Sequence, residues 1–310
     1  MRDWPLLRPV LIFHLITRAV IIAGLVTASR LSGRAFPAVV TRWDGRWYHK
    51  LAVHGYPAHL PVAPSGEIAS STAGFFALYP MLTKGFLAVG IPFWLGGMII
   101  NLLASTAAVL IIVLVGVQYL DRNAAVMLGC VWTAYPLSAT LTTTYTEAVF
   151  TLFGAASLLF MLRRRWILAG VAAALAGAVR SPGIVFAGAV CLGALEAIIR
   201  RREWRSLIGA AIAPLGFLAA VGYVGLRAGR LDAWQVTEHD GWHSHLTFGR
   251  GWPRFLMTSP STLHGLTHVL TAVFVIILTV LTLVTVLLRP PIPVIGLVLV
   301  GAFLAFGFGG

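Results

Sequence analysis

Acidic side chains are scarce in this chain: ten Asp and Glu stand among 310 residues, against 23 Lys and Arg, and charged residues make up 11% in all. An average soluble domain carries roughly 25% charged residues, so a solvated globule is excluded as the main body. Lysine is nearly absent as well, with Lys50 and Lys84 alone. An arginine excess in so apolar a chain points to loop orientation and to phosphate or lipid-headgroup contacts, not to nucleic acid. The two cysteines, Cys130 and Cys191, both lie inside apolar runs, which gives no disulfide or metal framework. No Gly-Lys-Ser/Thr phosphate loop occurs, so ATP-driven work has no support. An Asp-x-Asp pair is missing too, which argues against a donor held through a metal-bound diphosphate. Neither a cofactor nor a metal is expected. The apolar N-terminus contains His14 and Arg18 and lacks a small-residue cleavage site, so it reads as a retained first span and not as a cleaved signal.

What is present is mostly hydrocarbon: 58% apolar residues and a mean hydropathy of +0.88. The pattern predicts an all-α polytopic membrane protein, a single transmembrane domain over residues 1–310 with no internal repeat. Nine spans are expected, several of them short: Val10–Ala28, Phe93–Val117, Ala124–Thr140, Thr146–Leu162, Trp166–Val179, Pro182–Ile199, Ser206–Leu226, Val269–Leu288 and Ile292–Phe308. Residues 31–92 form a first outer loop, in which Gly74–Leu82 is too short to cross and is read as interfacial or re-entrant, and 227–268 form a second. With the N-terminus cytoplasmic, Arg163 to Arg165 and Arg200 to Arg202 fall in short connections on one side, the placement that sets orientation. The chain stops in apolar sequence at Gly310, which is compatible with a longer C-terminus.

Fourteen helical residues, Trp166–Val179, cover about 21 Å of a core about 30 Å thick. The turn Arg180-Ser181-Pro182-Gly183 therefore lies below the membrane surface, where polar backbone is tolerated only if it lines a cavity. Arg18, at the middle of the first span and one turn from His14, costs at least about 2.5 kcal/mol if it faces lipid. It is expected to face inward, against an acid or a lipid phosphate.

The densest chemistry is the stretch Thr41–Pro57, T-R-W-D-G-R-W-Y-H-K-L-A-V-H-G-Y-P. If a helix starts near Asp44, then Asp44, Trp47, Tyr48 and Leu51 share a face, and Asp44 also suits an N-cap. Three carboxylates fall on the outer side, Asp44, Glu67 and Glu147; any of them can serve as a general base, while Arg46, Lys50, His49 and Arg180 can stabilise a developing phosphate charge. Glu147 at a span start is equally suited to the helix N-terminus. The loop E-H-D-G-W-H-S-H, Glu238–His245, has a composition compatible with a metal, but His239, His243 and His245 hold no firm register. Sugar or headgroup contact through Trp242 is the stronger reading, and a plain solvated loop is stronger still. A transferase built this way would take its sugar from a lipid monophosphate, whose tail dissolves in the bilayer.

The residues also carry a resemblance. R-W-D-G-R-W-Y-H-K-L-A-V-H-G-Y resembles the W-D-[GS]-x-[HW]-[FY]-x-x-I-A-x-x-G-Y signature of the PIG-V type mannosyltransferases, integral membrane glycosyltransferases of the GT-C superfamily. In the same order, F-F-A-L-Y-P at Phe75–Pro80, Y-P-L-S-A-T-L-T-T-T-Y-T-E at Tyr135–Glu147 and V-R-S-P-G-I at Val179–Ile184 resemble that family's later motifs. The resemblance runs from about Thr17 to Ile184; Ala77, Thr146 and Pro182 depart from the pattern. It implies a GT-C-like helix bundle with short interfacial helices in the first outer loop. It further implies inverting transfer of mannose or a similar sugar from a polyprenyl-phosphate donor to a lipid-linked or protein acceptor at the extracytoplasmic face of the cell membrane. Asp44 would be the base. Glu147 and Arg180 would sit in the donor pocket shaped by Trp43, Trp47 and Tyr48. Beside the resemblance, the residues themselves offer Arg46, Lys50 and Arg18 for phosphate and Tyr145 and Trp242 for sugar or lipid. Membrane lipids and a partner subunit are further expected contacts. The low-Lys, Arg- and Ala-rich usage is that of a GC-rich bacterium, which leaves the acceptor open. The rival class is a membrane transporter or lipid-handling protein without transfer chemistry.

Overall fold

The computed structural model describes residues 3–244 and 292–307, with isolated positions between 273 and 288. The rest of the second outer loop with His245, half of the expected span Val269–Leu288, and the terminus beyond Gly307 lie outside the described residues. Among the described residues the chain is all helical, with one isolated β-bridge between Val62 and Ile68.

Helices α1 (Trp4–Ser32), α2 (Phe36–Val40), α3 (Asp44–His54), α4 (Leu78–Ala88), α5 (Phe93–Gly116) and α6 (Arg122–Thr133) come first. They are followed by α7 (Glu147–Leu162), α8 (Trp166–Val179), α9 (Ile184–Arg201), α10 (Ser206–Ile212), α11 (Leu215–Ala228), α12 (Ala233–Val236) and α13 (Ile292–Gly307). Four stretches among the described residues are long and apolar enough to cross a membrane: Trp4–Ser32, Phe93–Gly116, Ser181–Arg201 and Ser206–Ala228. Helices α7 and α8 are apolar but shorter. Pro214 divides the last of the four into α10 and α11, because its ring cannot donate to the ladder.

The stretch expected to span over Ala124–Thr140 is not one continuous helix. Asp121 caps α6, accepting from the amides of Asn123 and Ala124 at 2.9 and 3.0 Å, and the helix stops at Thr133. Pro136 disfavours helical backbone before it, and a 3₁₀ turn, Ser138–Leu141, follows. The break frees carbonyls that need donors. Arg18 supplies them: its Nη2 donates to Thr133 O at 2.6 Å and its Nη1 to Ser138 O at 2.7 Å and Thr142 Oγ1 at 3.1 Å. His14, one turn earlier, bonds Thr133 Oγ1 at 2.9 Å and Ser105 Oγ at 3.1 Å. Among the described residues no acid pairs with Arg18; its partners are two backbone carbonyls and a hydroxyl. It closes a broken helix in the protein interior and is 1% exposed.

Helix α5 packs on α6 and α7, α7 on α8, α8 on α9, α10 and α11, and α13 on α9. Small residues mark these contacts: Ala169, Gly170, Ala173, Ala176 and Gly177 of α8 are all buried, so neighbouring backbones approach closely without hydrophobic collapse to drive them. A second core joins the polar stretch to the bundle, with Tyr48 and Ala52 of α3 against Tyr79 of α4, Phe93 of α5, Val149 of α7 and Val179 of α8.

Candidate functional site

Helix α3 starts at Asp44, though not through an Asp44 cap. Trp43 holds the cap position with φ 48° and ψ −120° and no side-chain cap bond. Bulky residues avoid that conformation, which costs of order 1–3 kcal/mol and clusters at functional sites. The tight turn releases the Asp44 carboxylate to line a cavity of about 290 Å³. It is held there from behind. Gly45 lies so close to Thr144 that a Cβ would stand 2.5 Å from Thr144 Oγ1, while Thr144 donates through N and Oγ1 to Val40 O at 3.2 and 3.0 Å.

The opposite wall is the chain reversal between α8 and α9. Arg180 leaves α8 in extended backbone, and Gly183, whose Cβ would meet Ala176 backbone at 2.4 Å, folds the turn back on the helix end. Arg180 and Ser181 therefore line the same cavity as Asp44 and Tyr48. Arg180 donates to Glu147, the first residue of α7, in a half-buried ion pair. The helix-start role expected for Glu147 thus coincides with a second one, fixing the guanidinium.

The third wall comes from the second outer loop. A π-helical turn, Thr237–Gly241, carries Glu238 and presents Trp242 to the cavity. Trp242 meets Trp47 edge-on at 5.3 Å and Phe75 at 5.4 Å, while Trp47 stacks on Phe75 at 5.9 Å and Tyr48 meets Phe75 edge-on at 5.1 Å. Such a rim of aromatic faces around a few polar groups suits the apolar face of a sugar ring. Oε2 of Glu147 and the indole Nε1 of Trp242 are buried with no hydrogen-bond partner among the described residues, an acceptor and a donor left for a ligand.

Electrostatics sharpen the picture. Burial pushes the Asp44 carboxyl above its ordinary range; the Arg180 guanidinium pulls the other way and Glu147 adds to the rise. Glu238 is pushed up to about 7, again chiefly by burial, with Asp44 adding and a hydrogen bond to Ser244 opposing. Burial raises the Tyr145 phenol to about 12 while it hydrogen-bonds the Asp44 backbone. Burial also holds the Tyr48 phenol neutral, and its hydroxyl pairs with Thr146 Oγ1 at 3.2 Å.

Of the residues singled out in the sequence, Asp44, Tyr48, Arg180 and Trp242 line the cavity, with Glu147, Trp47 and Tyr145 directly behind it. Others lie elsewhere. Trp43 is 68% exposed beneath the Arg42 guanidinium, and Lys50 is exposed over the outer face of Trp47. Arg46 is exposed, Arg18 is in the α1–α6 interior, and Glu67 sits in an exposed loop accepting from Ser65 Oγ at 3.4 Å. Glu238 is the cavity carboxylate that sequence reasoning did not single out. Its signal was in E-H-D-G-W-H-S-H, where the histidines drew attention; His239 instead pairs with Asp240 at 2.6 Å. Among the described residues no group of three or more His, Cys, Asp and Glu is placed to hold a metal.

No family model matches the chain, and no curated protein or solved structure matches it either.

Proposed function

We propose that this is an integral membrane glycosyltransferase, of the PIG-V type that its motifs resemble, which moves mannose or a similar sugar from a polyprenyl-phosphate donor to a lipid-linked or protein acceptor. In this reading the chain is multi-pass with nine spans, its N-terminus is cytoplasmic, and the Asp44 cavity opens to the extracytoplasmic side of the cell membrane. The supporting observation is the meeting of Asp44 with Arg180 across one aromatic-rimmed cavity, from positions far apart in sequence.

The chemistry follows from that arrangement. Asp44 accepts the proton of the acceptor hydroxyl as its oxygen bonds to the anomeric carbon, on the face opposite the phosphate, and inversion results. The carbon–oxygen bond to phosphate breaks and polyprenyl phosphate departs with the electron pair. Arg180, kept in place by Glu147, meets the charge that develops on the leaving group. Leaving phosphate needs no proton, so one base is enough. Burial that lifts the Asp44 carboxyl makes it a stronger base once ionised.

The test is release of polyprenyl phosphate from a labelled polyprenyl-phosphate sugar by purified protein with membrane acceptors. Asp44→Asn is expected to fold and bind donor while turnover falls about 100- to 10,000-fold, the usual worth of a general base. Turnover equal to the unsubstituted protein removes Asp44 from that role. Donor binding with no turnover in the unsubstituted protein favours the transporter class.

A further inference from the structure

A larger cavity, of about 370 Å³, lies behind the first. The segment 74–77 separates them: Phe75 and Phe76 line the Asp44 cavity and Ala77 lines the second, while α3 begins in one and ends in the other at His54. Three basic side chains from three elements border the second cavity, His54 of α3, Lys84 of α4 and Arg227 of α11, and no Asp or Glu borders it. None of the three makes an ion pair among the described residues. In a chain so poor in charge, the Lys84 and Arg227 cations around one concavity with no carboxylate, beside the His54 donor, leave an uncompensated positive field that selects an anion.

The remaining lining is apolar and reaches outward. Met81 and Val53 are 65% and 50% exposed at its border. Tyr56 closes the inner side, donating to Phe75 O at 2.7 Å and meeting Tyr223 edge-on at 5.6 Å. Arg227 stands in the last turn of a stretch long and apolar enough to cross a membrane, which is where lipid headgroups lie. A charged cradle beside exposed hydrocarbon matches an amphiphile with a phosphate head.

We propose that this second cavity binds the phosphate group of an anionic lipid, through Lys84, Arg227 and His54, separately from the Asp44 cavity. The assignment does not depend on the transfer reaction. Full-length protein in a neutral maltoside detergent is titrated with dihexanoyl phosphatidic acid, dihexanoyl phosphatidylcholine and inorganic phosphate. Phosphatidic acid is expected to bind at least tenfold more tightly than the other two. The double variant Lys84→Gln/Arg227→Gln weakens it about thirtyfold, near the worth of two cations at a headgroup. Lys84→Arg retains binding, and so does Asp44→Asn, which separates this site from the catalytic proposal. Binding of phosphatidic acid that survives the double variant, or phosphatidylcholine binding as tightly, overturns the proposal. Inorganic phosphate binding as tightly as phosphatidic acid, and lost in the same double variant, assigns the cradle to free phosphate and overturns the lipid assignment.

Discussion

Replacing Gly45 with Ala tests whether the seat beneath Asp44 is as tight as it looks. The new methyl carbon would lie 2.5 Å from Thr144 Oγ1 and 3.2 Å from Thr144 O, so about half an ångström of movement is the least that relieves it. Two responses are open. Thr144 can turn its hydroxyl away and lose the bond to Val40 O, a loss of about 0.5–1.5 kcal/mol, or the start of α3 can lift and carry Asp44 with it. Overpacking of this kind destabilises by about 1–3 kcal/mol. A displacement of about 1 Å at a reacting group can lower turnover about 100-fold, so Gly45→Ala is expected to reduce transfer by about ten- to a hundredfold. Thr144→Ala alone is expected to lose about 1 kcal/mol through the Val40 bond, while the Thr144 amide keeps its own bond to the same carbonyl. In the double variant the worst contact is gone, and the two effects should combine to at least about 1 kcal/mol less than their sum. Thermal and denaturant unfolding in detergent, with single-turnover transfer, measures both quantities. A Gly45→Ala protein with undiminished stability and transfer, or strictly additive effects, refutes the reasoning.

Three further outcomes are expected. Glu238, pushed up to about 7, is protonated below that pH and ionised above it, so a change in sugar binding centred near pH 7 is expected in a binding titration and should vanish in Glu238→Gln. Because its folded value lies above the ordinary carboxylate value, ionising it disfavours the folded state, and the Glu238→Gln protein should gain unfolding resistance relative to the unsubstituted one as pH rises from about 4.5 to about 7, with no further gain above that. Glu147→Gln leaves Arg180 without its counter-charge; with side chains 26% and 31% exposed the loss should be about 1–2 kcal/mol by denaturant unfolding, less than for a fully buried pair, and a Glu147→Gln/Arg180→Gln double variant should recover part of it. Arg18→Gln should lower the unfolding midpoint, since the carbonyls of Thr133 and Ser138 lose donors, yet leave the KM for the lipid donor unchanged; a raised KM with unchanged stability would return Arg18 to a phosphate role.

Much of this arrangement is legible in the sequence, for reasons that differ by residue. Trp166–Val179 is unbroken hydrocarbon between Arg165 and Arg180, so both helix limits are written in charge, and Ser181-Pro182-Gly183 writes the reversal. Asp44 at a helix start followed by aromatics at helical spacing gave the start of α3 directly. Elsewhere hydropathy misled. Ala124–Thr140 is apolar enough to read as one span, yet Pro136 stops α6 early, and only the distant Arg18 reveals what satisfies the exposed carbonyls. Glu67 and Arg46 shared a loop and a helix with real cavity residues, but sequence proximity carries no information about which way a loop folds. Glu238 enters from some 190 positions beyond Asp44, and what places it is the packing of Trp242 against Trp47 and Phe75.

Residues 74–77 serve both cavities, with Gly74, Phe75 and Phe76 lining one and Ala77 the other. The two chambers are thus lined by consecutive residues of one short segment. A bulkier residue at 77 narrows one chamber and a smaller one at 75 or 76 enlarges the other, so a backbone shift along this segment caused by either change carries to both guests.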